Sequence, residues 1–111
     1  MWKPLASVLA TVLALSASLA QAQDAPLRIV VGYPPGGSSD RVARIVADKL
    51  QAKLGTSVIV ENKTGAGGRL SAQYVKSAPA NQPALLLANP AVMVVAPLVF
   101  PDAGYDAERD F

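Results

Sequence analysis

The sequence predicts an α/β protein built on a parallel sheet. Two observations carry the prediction. Short β-branched runs alternate with helical patterns in the order strand, helix, strand, helix, strand. The connections are short, so successive strands lie parallel and the chain forms a βαβαβ unit with right-handed crossovers. The first two strands each run into a glycine-rich loop, Tyr33-Pro34-Pro35-Gly36-Gly37-Ser38-Ser39-Asp40 and Asn62-Lys63-Thr64-Gly65-Ala66-Gly67-Gly68.

Leu27 to Val31 (Leu-Arg-Ile-Val-Val) reads as a buried strand ended by Gly32. A helix follows from Asp40. Val42, Ile45, Val46, Leu50 and Leu54 form one apolar stripe predicted to face the core, with the charged residues mostly off it. Ser38, Ser39 and Asp40 are each suited to cap the helix, and Gly55 stands where a terminating glycine belongs. Ser57 to Glu61 reads as the second strand. Leu70 to Ser77 is a weaker helix, with Leu70, Tyr74 and Val75 expected inward and Pro79 stopping it. Ala84 to Ala88 is the third strand, between Pro83 and Asn89-Pro90. Pro83 to Phe100 carries no charge, but Pro83, Pro90 and Pro97 interrupt it, so a strand, short helix and turn fit better than a membrane span.

Met1 to Ala22 has the layout of a secretory signal: Lys3, an apolar run from Leu5 to Ala20, and Ala20-Gln21-Ala22 ahead of cleavage before Gln23. The competing reading is an uncleaved anchor, for which the run is short against the about 20 residues of a span. No Cys follows the small residues, which argues against a lipid-anchored form. The segment 23–111 is then the folded unit, exported to the periplasm. The whole chain carries +2; without Lys3 the balance is +1. There is no basic block, so nucleic acid is not an expected partner. Zero Cys removes disulfides and thiol chemistry, and zero His removes the commonest metal ligand and general base. No cofactor, metal or enzymatic activity is expected.

A glycine-rich turn that opens into a helix presents unpaired N–H groups at the positive end of the helix dipole, an anion site for carboxylate or phosphate. Both loops fall beyond the carboxyl ends of their strands, where ligands of parallel sheets bind. No Gly-Lys-Ser/Thr is present, so the P-loop pattern fails; Leu70 occupies the last position of a dinucleotide fingerprint. Ser38 and Ser39 sit in no Gly-x-Ser-x-Gly elbow and have no His partner. Backbone capture of a small anion remains, with Gly36 and Gly37 allowing close approach and Ser38 and Ser39 adding hydroxyl donors. Asp40 either caps the helix or accepts a hydrogen bond from a ligand. Both loops could equally be plain tight turns.

Arg28 to Asp40 (Arg-Ile-Val-Val-Gly-Tyr-Pro-Pro-Gly-Gly-Ser-Ser-Asp) resembles the opening of the Bug family of periplasmic solute receptors, the binding components of tripartite tricarboxylate transporters. Val58 to Gly68 and the closing Tyr105-Asp106-Ala107-Glu108-Arg109-Asp110-Phe111 are similar to that family's later signatures. The resemblance implies a two-lobed periplasmic-binding-protein-like fold, of which 23–111 is the first lobe in part, and a receptor for small carboxylates such as organic acids or amino acids. It implies partnership with the membrane components of such a transporter. The ligand-binding residues it implies are Tyr33, Pro35, Gly36, Gly37, Ser38, Ser39 and Asp40 in the first loop, Gly65, Ala66, Gly67 and Gly68 in the second, and Asn89 after the third strand.

The chain departs from the family pattern at Arg69 and Ser71, where a smaller polar residue and a glycine are usual, and at Asn81-Gln82-Pro83 before the third strand. Family members are several-fold longer. A truncated first lobe would expose an apolar face, fold marginally and lack the means to clamp a ligand by closure. Two other readings stand beside the receptor: a fragment of an α/β enzyme that binds a phosphate-bearing cofactor, and a non-functional gene remnant.

Overall fold

The computed structural model describes residues 25–111. The expected signal sequence, residues 1–22, lies outside the described residues. Five elements follow in the anticipated order: β1 (Leu27–Val31), α1 (Ser38–Leu54), β2 (Val58–Asn62), α2 (Arg69–Lys76) and β3 (Ala84–Leu87). A single 3-10 turn, Ala66–Gly68, leads into α2. A π turn, Ala91–Val95, continues into the short helix α3 (Ala96–Val99). The boundaries of β1 match the sequence reading, and the others shift by one or two residues.

The three strands are parallel in the order β2-β1-β3. Ile29 is registered with Val60 on one side and Leu85 on the other. The central position explains why β1 is apolar almost throughout, since Ile29, Val30 and Val31 are all but completely buried. α1 packs on one face against Ile29, Val31 and Val58. The other face is covered by α2 and the closing segment, where Ala72, Val92, Ala103 and Tyr105 cluster with Leu86 and Ala88. The Tyr105 hydroxyl donates to the Val92 carbonyl, and burial pushes that phenol above its ordinary pKa. Lys76 pairs with Asp110 at 3.0 Å and ties the end of the described chain to α2.

The apolar stripe of α1 does not face the core as expected. Ala43 and Ala47 are buried against the sheet with Leu50 beside them, while Ile45 is 62% and Val42 51% exposed. The side chains facing the sheet are small at i and i+4, which lets the helix axis lie close to the strands. The larger Val42, Ile45, Val46 and Leu54 are turned to the flank, uncovered among the described residues. α2 shows the same effect. Ser71 and Ala72 are buried and Leu70, expected inward, is exposed. No helix of the described residues is long and apolar enough to cross a membrane.

Candidate functional site

Beyond the carboxyl ends of the strands, β1, β2 and β3 deliver Tyr33, Asn62 and Asn89 to one place. The Tyr33 hydroxyl lies 2.9 Å from Asn89 Nδ2 and 3.2 Å from its Oδ1, and donates more loosely to the Gly67 carbonyl at 3.5 Å. Asn89 Oδ1 also accepts the Val92 N–H at 3.2 Å, capping the turn that follows Pro90. Tyr33 therefore links the first loop to the second and to the exit of β3. In a sheet ordered β2-β1-β3 the chain leaves β1 toward one side and later returns to the other. The crevice between the ends of β1 and β3 is where such sheets bind ligands.

The first loop turns at Pro34–Gly37, where the Gly37 N–H reaches the Pro34 carbonyl at 3.4 Å. Gly37 then takes the cap position of α1 with extended backbone and no side-chain cap. Ser38, Ser39 and Asp40, each suited to that role by residue type, lie inside the first turn instead. Pro35, Gly36, Gly37 and Ser38 are exposed and Ser39 is half-buried. Neither serine hydroxyl makes a hydrogen bond among the described residues. The Ser38 and Ser39 N–H groups are among those a helix cannot satisfy within itself. This end of α1 is thus free to take an acceptor from outside.

Asp40 is different. It is 2% exposed, and its carboxylate accepts from four N–H donors: the Gly36 N–H at 2.9 Å, Asn62 Nδ2 at 3.0 Å, Arg44 Nε at 2.9 Å and Arg44 Nη2 at 3.1 Å. The Arg44 fork, then the Gly36 amide and Asn62, hold this carboxyl well below the usual carboxylate range. Asn62 Nδ2 also donates to the Tyr33 carbonyl at 3.0 Å. The carboxylate thereby pins both ends of the first loop to the exit of β2. Of the two roles open to Asp40 from sequence, capping is not seen, since no side chain caps α1; the carboxylate positions the first loop instead.

The second loop is shaped by consecutive left-handed residues, Ala66 (φ 48°), Gly67 (φ 65°) and Gly68 (φ 94°). Gly65 to Gly67 are exposed and Gly68 is buried. A Cβ on Gly68 would stand 2.7 Å from Val92 Cγ2 and 3.2 Å from the Tyr33 hydroxyl. Gly32 admits an equally close approach, since a Cβ there would meet Ser71 Oγ at 2.7 Å and Gly68 Cα at 2.9 Å. Ser71 fits this tight space by donating to the Gly68 carbonyl at 2.7 Å. Arg69 does not crowd the loop. Its Nε donates to the Ala66 carbonyl and its guanidinium lies over Phe100.

Residues 42–111 match the model of the tripartite tricarboxylate transporter family receptor. The chain belongs to that family. A UPF0065 protein of Bordetella bronchiseptica is 46% identical over 101 residues, which is 88% of this chain and 30% of that protein. The structure of the periplasmic binding protein BugD superposes with a TM-score of 0.74 at 34% identity, over 79% of this chain and 29% of BugD. MatC from Rhodopseudomonas palustris, solved with bound malate, gives a TM-score of 0.71 at 31% identity, over 78% of this chain and 29% of MatC. The chain spans about 30% of the length of these relatives. The family resemblance seen in the loops is borne out, as is the α/β parallel-sheet fold of a Bug-type receptor.

Three residues that shape these loops carry no functional role in the sequence pattern: Gly32 reads as the end of a strand, Asn62 as the start of a loop motif, and Arg44 as one of the charged residues off the apolar stripe. The spacing of Asp40 and Arg44, four apart on a helix, is the one signal that pointed to a partner.

Proposed function

We propose that the chain supplies the first-lobe part of an extracytoplasmic solute receptor site that captures small carboxylates through backbone N–H groups. The reading rests on one observation above all. The N-terminus of α1 follows the end of β1 with no side-chain cap of its own, on the side where Tyr33 and Asn89 bridge the ends of β1 and β3. Ser38 and Ser39 would present the donors on one side, with Gly36 and Gly37 shaping the turn before them, and Gly65, Ala66, Gly67 and Gly68 would form the approach from the other. Tyr33, Pro35 and Asn89 would flank the ligand, and Asp40 holds the first loop in shape. A carboxylate suits such a site, because the dipole and amides supply the stabilisation without a dedicated cation. The malate bound by MatC supports the ligand class.

The same reading places the chain in the periplasm after cleavage of residues 1–22, serving the membrane components of a tripartite tricarboxylate-type uptake system. The role is binding rather than catalysis. The sequence holds no His and no Cys, and the two serines nearest the site have no base beside them. The test is a titration of the isotope-labelled chain with malate, followed by amide NMR. The expected result is saturable shifts at Gly36 to Ser39 and at Gly65 to Gly68. Unmoved amides in both loops at millimolar malate would overturn the reading.

A further inference from the structure

We infer that the open edge of β3 pairs with the same edge of a second copy of this chain. The two strands run antiparallel about a two-fold axis at Leu86 and join the sheets into one, in the order β2-β1-β3-β3-β1-β2. The inference goes beyond the carboxylate reading and does not rest on it.

β1 is the central strand, so β2 and β3 each keep one open edge. The Arg28 N–H donates to the Pro83 carbonyl at 3.1 Å. In that register Leu85 and Leu87 turn their backbone groups toward β1, while Ala84, Leu86 and Ala88 turn theirs outward. Among the described residues no loop or side chain takes up these outward groups. The edge of β2 is guarded by comparison. Gln51 Oε1 accepts the Val58 N–H at 3.2 Å, and Arg44 and Asp48 flank the strand. Ala84 to Ala88 holds no charge and no proline. An unguarded apolar edge is a template for another strand.

The sequence of the edge points to its own copy as the occupant. Ala84-Leu85-Leu86-Leu87-Ala88 reads the same in both directions. Antiparallel pairing about Leu86 sets Leu86 against Leu86, Ala84 against Ala88 and Leu85 against Leu87, with no unlike or charged pair. The surroundings fit such a strand. A cleft of about 380 Å³ runs along the edge, walled by Ala84, Leu86 and Ala88 of the strand and by Val75, Met93 and Phe111. Its one charged residue, Asp110, is already paired with Lys76 at 3.0 Å, so the cleft calls for carbon rather than a cation. Leu86 of the second copy falls on that face. On the other face α1 lies over β1 and β2, which leaves Leu85 46% exposed and open to Leu87 of the second copy. One strand and one cleft per copy fall below the about 1,200 Å² of stable complexes, so the dimer is weak and depends on concentration.

Sedimentation equilibrium of the chain as purified reads the state. The apparent mass should rise from one copy toward two as the concentration passes on the order of 100 μM, the range of so small an interface. Over the same range hydrogen exchange at the Leu86 N–H should slow on the order of tenfold, because pairing takes up that donor. Leu85→Lys sets a charge against Leu87 of the second copy at a position exposed in the single chain. It should hold the mass at one copy and make the exchange independent of concentration. Ile45→Lys, on the exposed flank of α1, should leave the dimer in place. A mass of one copy at every concentration, or a dimer that survives Leu85→Lys, overturns the inference. If Leu85→Lys does not fold, exchange in the parent decides. A Leu86 N–H whose rate ignores concentration overturns the pairing, and one already slow in the single chain shows the edge covered from within and overturns it too.

Discussion

Gly68→Ala tests whether the second loop is held by close contact or only by backbone conformation. At φ 94° an L-residue is strained, costing about 1–2 kcal/mol as for other left-handed positions. The added Cβ also meets Val92 Cγ2 at 2.7 Å and the Tyr33 hydroxyl at 3.2 Å. Val92 is fully buried and cannot swing away, so overpacking adds about 1–3 kcal/mol. The internal control is Gly67→Ala. Its φ of 65° carries the same backbone cost, and nothing lies within 4 Å of its Cβ. Urea unfolding followed by far-UV circular dichroism measures both. With a slope of about 1–3 kcal/mol per molar urea, Gly68→Ala should lower the midpoint by roughly 1–2 M. Gly67→Ala should lower it by clearly less. In the double variant with Val92→Ala, relief of the clash should make the combined loss about 1 kcal/mol or more smaller than the sum of the singles. Equal losses for the two glycines, together with additivity in the cycle, would refute the contact argument.

Asn89→Ala removes both the partner of the Tyr33 hydroxyl and the cap on the Val92 N–H. It should cost about 1–2 kcal/mol and speed hydrogen exchange at Val92, whereas an unchanged exchange rate would count against the cap. The Asp40 carboxyl is depressed in the folded chain, so its contribution is present above the unfolded pKa near 3.8 and is lost as pH falls toward the folded value. Between pH 6 and pH 3 the urea midpoint of the parent should fall more than that of Asp40→Asn, and parallel pH curves would refute the assignment. On α1, Ala47→Leu should cost about 1–3 kcal/mol by overpacking against the sheet, while Ile45→Gln should stay within about 0.5 kcal/mol. The reverse order would restore the apolar stripe to the core.

The order of elements was legible because strand runs, glycines and prolines punctuate the chain at nearly every boundary. Gly55, for example, ends α1 in the left-handed conformation expected of it. The buried face of α1 was not legible. Hydrophobicity ranks Val42, Ile45 and Val46 above Ala43 and Ala47, but packing against a sheet is decided by how near the backbone can come. Both glycine loops could be placed beyond the strand ends from sequence, since that follows from parallel connectivity. The interlock between them could not. Asn62 and Asn89 both reach Tyr33 only because β1 lies between β2 and β3, and strand order is not written in local pattern.

The same strand order resolves an electrostatic difficulty. A loop proposed to hold a carboxylate is underlain by the buried carboxylate of Asp40, and two like charges so placed repel each other. Arg44 removes most of that opposition by pairing with Asp40 through two hydrogen bonds while remaining half in solvent. What is left of Asp40 is geometry. It draws the Gly36 N–H inward and, through Asn62, fixes the Tyr33 carbonyl. The Gly36 amide is thus spent on the loop's own shape, and the donors that remain for a ligand belong to Ser38 and Ser39 in the first turn of α1. A site built this way binds through the direction of its amides rather than through net charge.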